Sequence, residues 1–157
     1  MMHLHLVFIG KTNFPEIDAA ITRYLDRLQH YVPVEVHVVR QEKIGPKTPE
    51  SAVREREGEK VLRLVGEGGC LAVWDQHGRQ MDSVEFSRFL ERLQNEGTEH
   101  LWMAIGGPLG VSESLSRRAR FVLSLSKMTF PHDMARLIVT EQLYRAFSIL
   151  KGEPYHK

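Results

Sequence analysis

Short apolar runs alternate with amphipathic segments along the whole chain, and this alternation limits the possible folds more than any other feature. Each run is apolar nearly throughout, as is typical of strands that are buried on both faces of a sheet. The runs lie at 4–9, 34–39, 70–74, 100–105 and 121–126, and segments with helical periodicity lie at 15–31, 49–65, 83–96, 112–119 and 132–150. This order predicts an α/β fold, with a mostly parallel sheet and helices on both of its faces.

The chain of 157 residues is long enough to bury one core, and neither a repeat nor a long linker divides it. We therefore predict a single domain over residues 1–157, with the polar segment 41–50 as its most mobile loop. The longest apolar runs are far shorter than the roughly 20 residues that span a membrane. The opening "LHLVFIG" lacks the basic flank and the cleavage site of a signal peptide, so we expect a cytoplasmic protein.

The charge of the chain is unevenly distributed, although its net value is only +1. Residues 117–157 contain eight basic and three acidic side chains, a charge of +5, and the remainder of the chain carries −4. Such an excess suggests a polyanionic partner for the C-terminal part. A solvated surface whose acidic residues lie elsewhere explains the same numbers equally well.

Two loops follow predicted strands and are candidates for ligand contact. "IGGPLG" (105–110) follows the fourth strand, and "SLSKMTFP" (124–131) ends the fifth. Ligands of open α/β sheets bind at the carboxyl ends of the strands, where both loops are expected to lie. Glycine allows the backbone to approach a ligand closely, and Met128 and Phe130 offer apolar walls. The alternatives are a tight structural turn and an ordinary strand–helix connection.

Other motifs point away from several classes of site. "GKT" at 10–12 is not a phosphate loop, because His5 stands where the first glycine of that motif is required. The eight histidines have no H-x-x-x-H or similar spacing, and Cys70 has no second cysteine, so no metal site is expected. No catalytic triad is recognisable. The terminal "PYHK" (154–157) combines stacking and cationic side chains suited to nucleic acid, although termini are often frayed.

The last predicted helix is apolar on more than one side. One stripe is expected to face the sheet, and it consists of Ala135, Ile138, Val139, Leu143, Ala146, Ile149 and Leu150. The opposite side mixes Leu137, Tyr144 and Phe147 with polar and charged residues. This second side is predicted to pack on a folded-back tail or on a second copy of the chain.

Three stretches together resemble one known family. They are "LHLVFIGK" at the start, "IGGPLGVSESL" from Ile105, and "LSLSKMTFPHDMARLIVTEQLYRAFSILKGEPYHK" at the end. They are similar to the small single-domain SPOUT methyltransferases that methylate ring nitrogen 3 of a pseudouridine in bacterial 23S ribosomal RNA. The resemblance implies a C-terminal trefoil knot, a homodimer, S-adenosylmethionine as the methyl donor, and no metal. A dimer would double the C-terminal charge excess, which suits a large structured substrate, so we predict that it acts on 23S rRNA in assembled ribosomes or large subunits.

The resemblance also assigns residues to roles. The cofactor pocket would consist of Trp74, Gly106, Gly107, Leu125, Ser126, Lys127, Met128, Thr129 and Phe130. Trp74 departs from the aliphatic residue that the family leads us to expect. The substrate RNA would contact Arg145, Tyr155, His156 and Lys157. These residues would reach the cofactor that is bound to the partner subunit. Arg145 or His156 is the predicted catalytic group, stabilising the deprotonated base or removing its proton.

Two other functions remain open from the sequence. One is a ribosome- or RNA-binding dimer that catalyses no transfer, and the other is a SPOUT methyltransferase that acts on tRNA. A glycine turn and an intact loop at one sheet edge favour an enzyme over a pure RNA-binding module, because RNA binding alone needs no cofactor site.

Overall fold

The computed structural model describes residues 1–43 and 45–157 as five strands and five helices in strict alternation. The strands are β1 (His3–Ile9), β2 (Val34–Val39), β3 (Cys70–Gln80), β4 (His100–Ile105) and β5 (Phe121–Ser124). The helices are α1 (Pro15–Leu28), α2 (Glu50–Val65), α3 (Ser83–Asn95), α4 (Glu113–Arg118) and α5 (His132–Leu150). The predicted order of elements is confirmed. The predicted mobile loop 41–50 includes Ile44, which lies outside the described residues.

The strands form one sheet in the order β2-β1-β4-β3-β5, and all four neighbouring pairs are parallel. The parallel sheet predicted from the apolar runs is therefore confirmed. Because the strands are parallel, the ends of β3, β4 and β5 lie at the same edge of the sheet. The loops that follow β4 and β5 begin at this edge.

Helices cover both faces of the sheet, as predicted. Alternate residues of β1 divide between two cores: Leu4, Leu6 and Phe8 join side chains of α1, α3 and α5. Val7 and Ile9 join side chains of α2 and α4 on the other face. This division follows from the period of two in a strand, which turns successive side chains to opposite faces. No helix among the described residues is long and apolar enough to cross a membrane.

Strand β3 is longer than predicted, because it continues through the polar residues after Trp74. Trp74 and Arg79 both pair with Leu123 of β5, so the chain between them leaves the sheet and returns to the same partner. A Cβ atom at Gly78 would lie 2.6–2.7 Å from backbone atoms of Val122 and Leu123. Glycine is therefore required where these two segments touch. The knot that the resemblance implies stays a prediction.

The orientation predicted for α5 is wrong in part. The helix packs between α1 and α3, and its buried side includes Arg136, Thr140, Phe147 and Ser148, which the sequence placed opposite the sheet. Ile149 and Leu150, predicted to be in the buried stripe, are only half-buried. The residues after the helix fold back against it, so the C-terminal half of its second side is covered within one chain.

Candidate active site

An open cleft of about 720 Å³ lies where β4 and β5 end and where β3 leaves the sheet after Trp74. Pockets of roughly 300–1,000 Å³ are typical of small-molecule sites. Three segments contribute most of the lining, which consists of Trp74, Asp75, Gln76, Ile105, Gly106, Gly107, Pro108, Leu109, Gly110, Leu125, Ser126, Met128, Thr129, Phe130, Pro131, His132 and Ala135. The cleft therefore joins the two loops singled out in the sequence.

The glycine turn after β4 forms one wall of the cleft. Gly110 donates its backbone N–H to the carbonyl oxygen of Gly107 at 3.0 Å and has a φ of +82°, which glycine adopts without strain. A Cβ atom at Gly106 would lie 2.7 Å from the backbone carbonyl carbon of Gly110. The turn is closed too tightly for any side chain at Gly106, which keeps its backbone open to the cleft.

The loop after β5 forms the opposite wall and is held by the end of β3. The Ser124 hydroxyl lies 3.1 Å from the Gln76 carbonyl oxygen and 2.9 Å from that of Ser126. Thr129 donates its hydroxyl to the side-chain oxygen of Gln76 at 2.8 Å. Met128 is largely exposed beside these contacts. The loop thus has a defined shape, while an apolar side chain remains available at its surface.

Trp74 contributes an indole to the floor of the cleft. Its ring packs edge-on against Phe86 of α3, with the ring centroids 5.6 Å apart. Its Nε1 atom is buried and has no hydrogen-bond partner within residues 1–43 and 45–157. Burying an N–H donor without an acceptor costs free energy, so a ligand acceptor at this position would stabilise the site.

The rim of the cleft is fixed by a buried ion pair in the first turn of α5. The Arg136 guanidinium lies 3.7 Å from the Asp133 carboxylate and donates to the carbonyl oxygen of Ile9 at 2.7 Å and to the Thr12 hydroxyl. Asp133 accepts the backbone N–H of Asn13 at 3.0 Å. These bonds attach the "GKTN" loop to α5, which gives that segment a structural role in place of the rejected phosphate loop.

His132 stands beside this pair on the cleft wall. Burial lowers the pKa of its imidazole, the positive charge of Arg136 lowers it further, and Asp133 partly opposes them. The net shift keeps His132 neutral at pH 7. A neutral imidazole on the wall adds polarity to the cleft without adding charge.

A second cluster of polar and aromatic residues lies further along α5. Arg145 donates two hydrogen bonds to Glu141, at 2.9 and 2.6 Å, and a third to Nδ1 of His156 at 3.1 Å. Tyr155 lies under the Arg145 guanidinium, 4.8 Å from it, and donates its hydroxyl to Glu141. The tail is therefore packed against α5, and the predicted substrate residues Arg145, Tyr155 and His156 lie together.

The two clusters are separate within one chain. His132 lines the cleft and Arg145 follows it by 13 residues in the same helix, a distance of about 20 Å along the axis. Among the residues that the structure describes, the lining includes neither Arg145 nor the tail, and Lys127 lies outside it as well. Every other residue predicted for the cofactor pocket lines the cleft.

Sequence reasoning missed several lining residues. Asp75 and Gln76 directly follow Trp74, so the rule that ligands bind at strand ends also points to them. His132 and Ala135 begin the helix after the loop, where periodicity predicts only core packing. No pattern in the sequence distinguishes them as lining residues.

The C-terminal charge excess is smaller at the surface than in the sequence. Four of its eight cations are ion-paired, namely Arg117, Arg120, Arg136 and Arg145. Arg118 donates to three backbone carbonyl oxygens around the start of β3. Exposed Lys127, Lys151 and Lys157 remain as candidates for contact with a polyanion.

Comparison with known proteins agrees with this architecture. A family model described as "Predicted SPOUT methyltransferase" matches residues 2–156. A protein of Syntrophobacter fumaroxidans named "Ribosomal RNA large subunit methyltransferase H" is 59% identical over 157 residues, with 99% of this chain and all of that protein covered. A protein of the same name from Christiangramia forsetii is 44% identical, with 99% of each chain covered.

A solved structure extends the comparison to the fold. The probable methylase family protein from Haemophilus influenzae Rd KW20 is similar over 99% of this chain and 70% of that chain, with a TM-score of 0.57. The identity is 10%, so this similarity concerns the fold alone. Since the family model matches almost the whole sequence, the chain belongs to the SPOUT methyltransferase family.

Proposed function

We propose that the protein methylates ring nitrogen 3 of a pseudouridine in 23S rRNA, with S-adenosylmethionine as the methyl donor. Two relatives that match the chain from end to end bear names of large-subunit rRNA methyltransferases. The observation that carries the proposal is the cleft, in which the glycine turn after β4, the loop after β5 and Trp74 meet at one edge of the sheet. We expect the protein in the cytoplasm, where ribosomes are.

The cleft suits S-adenosylmethionine in size and chemistry. Ile105 and Leu125 provide apolar walls for an adenine ring, and the buried Trp74 N–H provides a free donor. The Asp75 carboxylate lines the same cleft and offers an opposite charge to a cationic ligand. When bound, this cofactor supplies a methyl group on a sulfonium centre, and the residues of the chain position it and exclude water.

Arg145, held by two hydrogen bonds to Glu141, is a cation that lies among the predicted substrate residues, and methylation of an imide nitrogen is helped by a cation. That nitrogen must lose its proton, and a nearby positive charge stabilises the resulting anion. A guanidinium has only donors, so Nδ1 of His156 must accept the bond from Arg145 and its Nε2 carries the proton. In this tautomer His156 is a donor toward the base, which favours stabilisation of the anion over removal of the proton by His156.

The site is composite in this proposal, with the cleft from one subunit and the Arg145 cluster from its partner. The separation of about 20 Å along α5 keeps the two apart in one chain. Four exposed apolar side chains support a homodimer that covers the start of α5: Phe14, Met128, Phe130 and Met134. Asn13 and Asp133 are joined by a hydrogen bond. Phe14 directly follows Asn13 and Met134 directly follows Asp133, so these two apolar residues lie near each other.

The activity is tested with labelled S-adenosylmethionine and large ribosomal subunits from a strain lacking the gene. We expect transfer to one nucleoside, identified by mass spectrometry as a 3-methylpseudouridine, and much slower transfer to naked RNA fragments. Binding should weaken as salt rises, since lysine–phosphate contacts release counterions. Transfer to tRNA instead would contradict the proposed substrate. Failure to bind S-adenosylmethionine in calorimetry would favour the non-catalytic RNA-binding dimer.

Replacement of His156 tests the role of the tail. We expect His156→Ala to lower the turnover number by roughly 100-fold, the usual effect of removing one donor to a developing anion. Affinity for S-adenosylmethionine should stay unchanged, because His156 is proposed to contact the base and the lining of the cleft includes no residue of the tail among the described residues. His30→Ala, at an exposed histidine in the turn after α1, is the control. Unchanged turnover in His156→Ala would remove this residue from the mechanism.

A further inference from the structure

A cluster of histidines lies at the other end of the sheet, away from the cleft. His5 and Glu35 are register partners on β1 and β2, and His37 is two residues further along β2 on the same face. Trp102 of β4 stacks on the His5 ring with centroids 4.0 Å apart and planes 12° apart. His5 lies four residues before the end of β1, about 13 Å from the cleft edge. Among the described residues, the cluster contributes no side chain to the lining of the cleft.

The donor atoms of three of these residues converge on one point. Nδ1 of His5 is 3.1 Å from Nε2 of His37, and each of these nitrogens is 3.8 Å from Oε2 of Glu35. Ligands of tetrahedral zinc, with bonds of 2.0–2.2 Å, lie about 3.4 Å from one another. The three separations in the structure, 3.1, 3.8 and 3.8 Å, lie on either side of that value. Two imidazoles and one carboxylate are also a donor set that zinc binds in proteins.

The surroundings of the cluster fit a metal site with one open position. The side chains of His5 and His37 are 12% and 20% exposed, whereas Glu35 is 66% exposed. Nε2 of His5 is 3.0 Å from Nδ1 of His100. If Nδ1 of His5 binds a metal, Nε2 carries the proton and donates it to His100, as the second nitrogen of a metal-bound histidine usually does. Stacking on Trp102 fixes the plane of the ring.

We propose that His5, Glu35 and His37 bind one Zn²⁺ ion, with water as the fourth ligand. The ion joins β1 to β2, which is the edge strand of the sheet, and stabilises that edge. The site is independent of methyl transfer, so this inference does not rest on the proposed function. It reverses the expectation of no metal, which considered histidine spacing within single segments and missed ligands on two strands.

The test is a zinc titration of tag-free protein after treatment with a chelator. We expect one equivalent of Zn²⁺ to bind per chain. Glu35→Gln and His37→Gln should weaken binding by more than about 100-fold, and His100→Gln, which removes only the hydrogen-bond partner, by roughly 10- to 100-fold. Exposed Glu35 can be replaced without disturbing the core, so its variant keeps the test valid if a histidine variant fails to fold. His30→Gln should bind zinc like the parent.

Two further measurements distinguish a zinc site from a group of histidines that only hydrogen-bond to one another. Zinc at 100 times its dissociation constant should raise the unfolding midpoint of the parent by roughly 5–10 °C, and leave that of Glu35→Gln unchanged. Cobalt(II) bound in place of zinc should give the intense visible absorption of a four-coordinate ion. Equal zinc affinity in all variants, or no rise in the parent's midpoint, would overturn the proposal.

Discussion

We expect a mixed dimer of two inactive variants, Gly106→Ala and Arg145→Ala, to regain about half of the parent activity. If the cleft of one subunit works with Arg145 of the other, one of the two sites in this dimer keeps both intact parts. The other site loses both. If instead each chain builds its own site, both sites are damaged and no activity returns. Recovery of activity in the mixed dimer therefore indicates that each active site is shared between the two subunits.

Each variant is inactive for a different physical reason. The added Cβ of Gly106→Ala meets the backbone of Gly110 at 2.7 Å, so the turn must open and the wall of the cleft moves. We expect this variant to lose S-adenosylmethionine binding. Arg145→Ala leaves the cleft intact and removes the cation from the tail cluster, so it should bind the cofactor and fail in transfer.

The mixed dimer is obtained by co-expression of the two variants with different cleavable tags and two affinity steps. Calorimetry should detect one cofactor site per mixed dimer and two per parent dimer. Gly68→Ala is the matched control, because a Cβ there has nothing within 4 Å and the turn it occupies lies away from the cleft. Absence of recovered activity in a stable mixed dimer would rule out the composite site.

Among the replacements proposed for this protein, that of the buried Arg136 should lower the free energy of unfolding most. Arg136→Met leaves the Asp133 carboxylate, which is 2% exposed, without its cation. Breaking a buried ion pair from one side typically costs 3–5 kcal/mol. The variant also loses the donors to Ile9 and Thr12. Urea unfolding should report a free energy of unfolding lower by about this amount.

The double variant Asp133→Asn/Arg136→Met tests the cause of that loss. The amide oxygen of asparagine still accepts the Asn13 N–H, and no buried charge remains, so part of the lost stability should return. Arg117→Met is the control, because its pair with Glu113 is exposed and contributes at most about 1 kcal/mol. A double variant less stable than Arg136→Met would contradict the ion-pair explanation.

The sequence predicts the sheet, the two faces and most of the cleft for identifiable reasons. Apolar runs give the strands directly, and the rule of strand ends brings Gly106, Gly107 and Leu125 to one edge. The burial of Arg136 could not be predicted, because periodicity treats a charged residue as a surface residue and its acceptors lie in the first strand and loop. The continuation of β3 past Trp74 was missed since its residues are polar and pair only with β5.

The register between neighbouring strands cannot be predicted from the spacing of residues within one segment of the sequence. His5 and Glu35 are 30 positions apart, and only the pairing of β1 with β2 makes them neighbours. Any site assembled across strands is hidden from a search of single segments. The same holds for the contact of Gly78 with β5.

The hydrogen bonds between α5 and the first loop make the cleft one of the parts of the fold that depend on contacts between distant segments of the chain. The Asn13–Asp133 bond joins residues 120 positions apart, and the Arg136–Ile9 bond joins residues 127 apart. A domain that depends on contacts between such distant parts of the chain folds more slowly than one built from local contacts. Because the first turn of α5 lines the cleft and bonds to the first loop, we expect cofactor binding only after α5 has been synthesised and has packed against that loop.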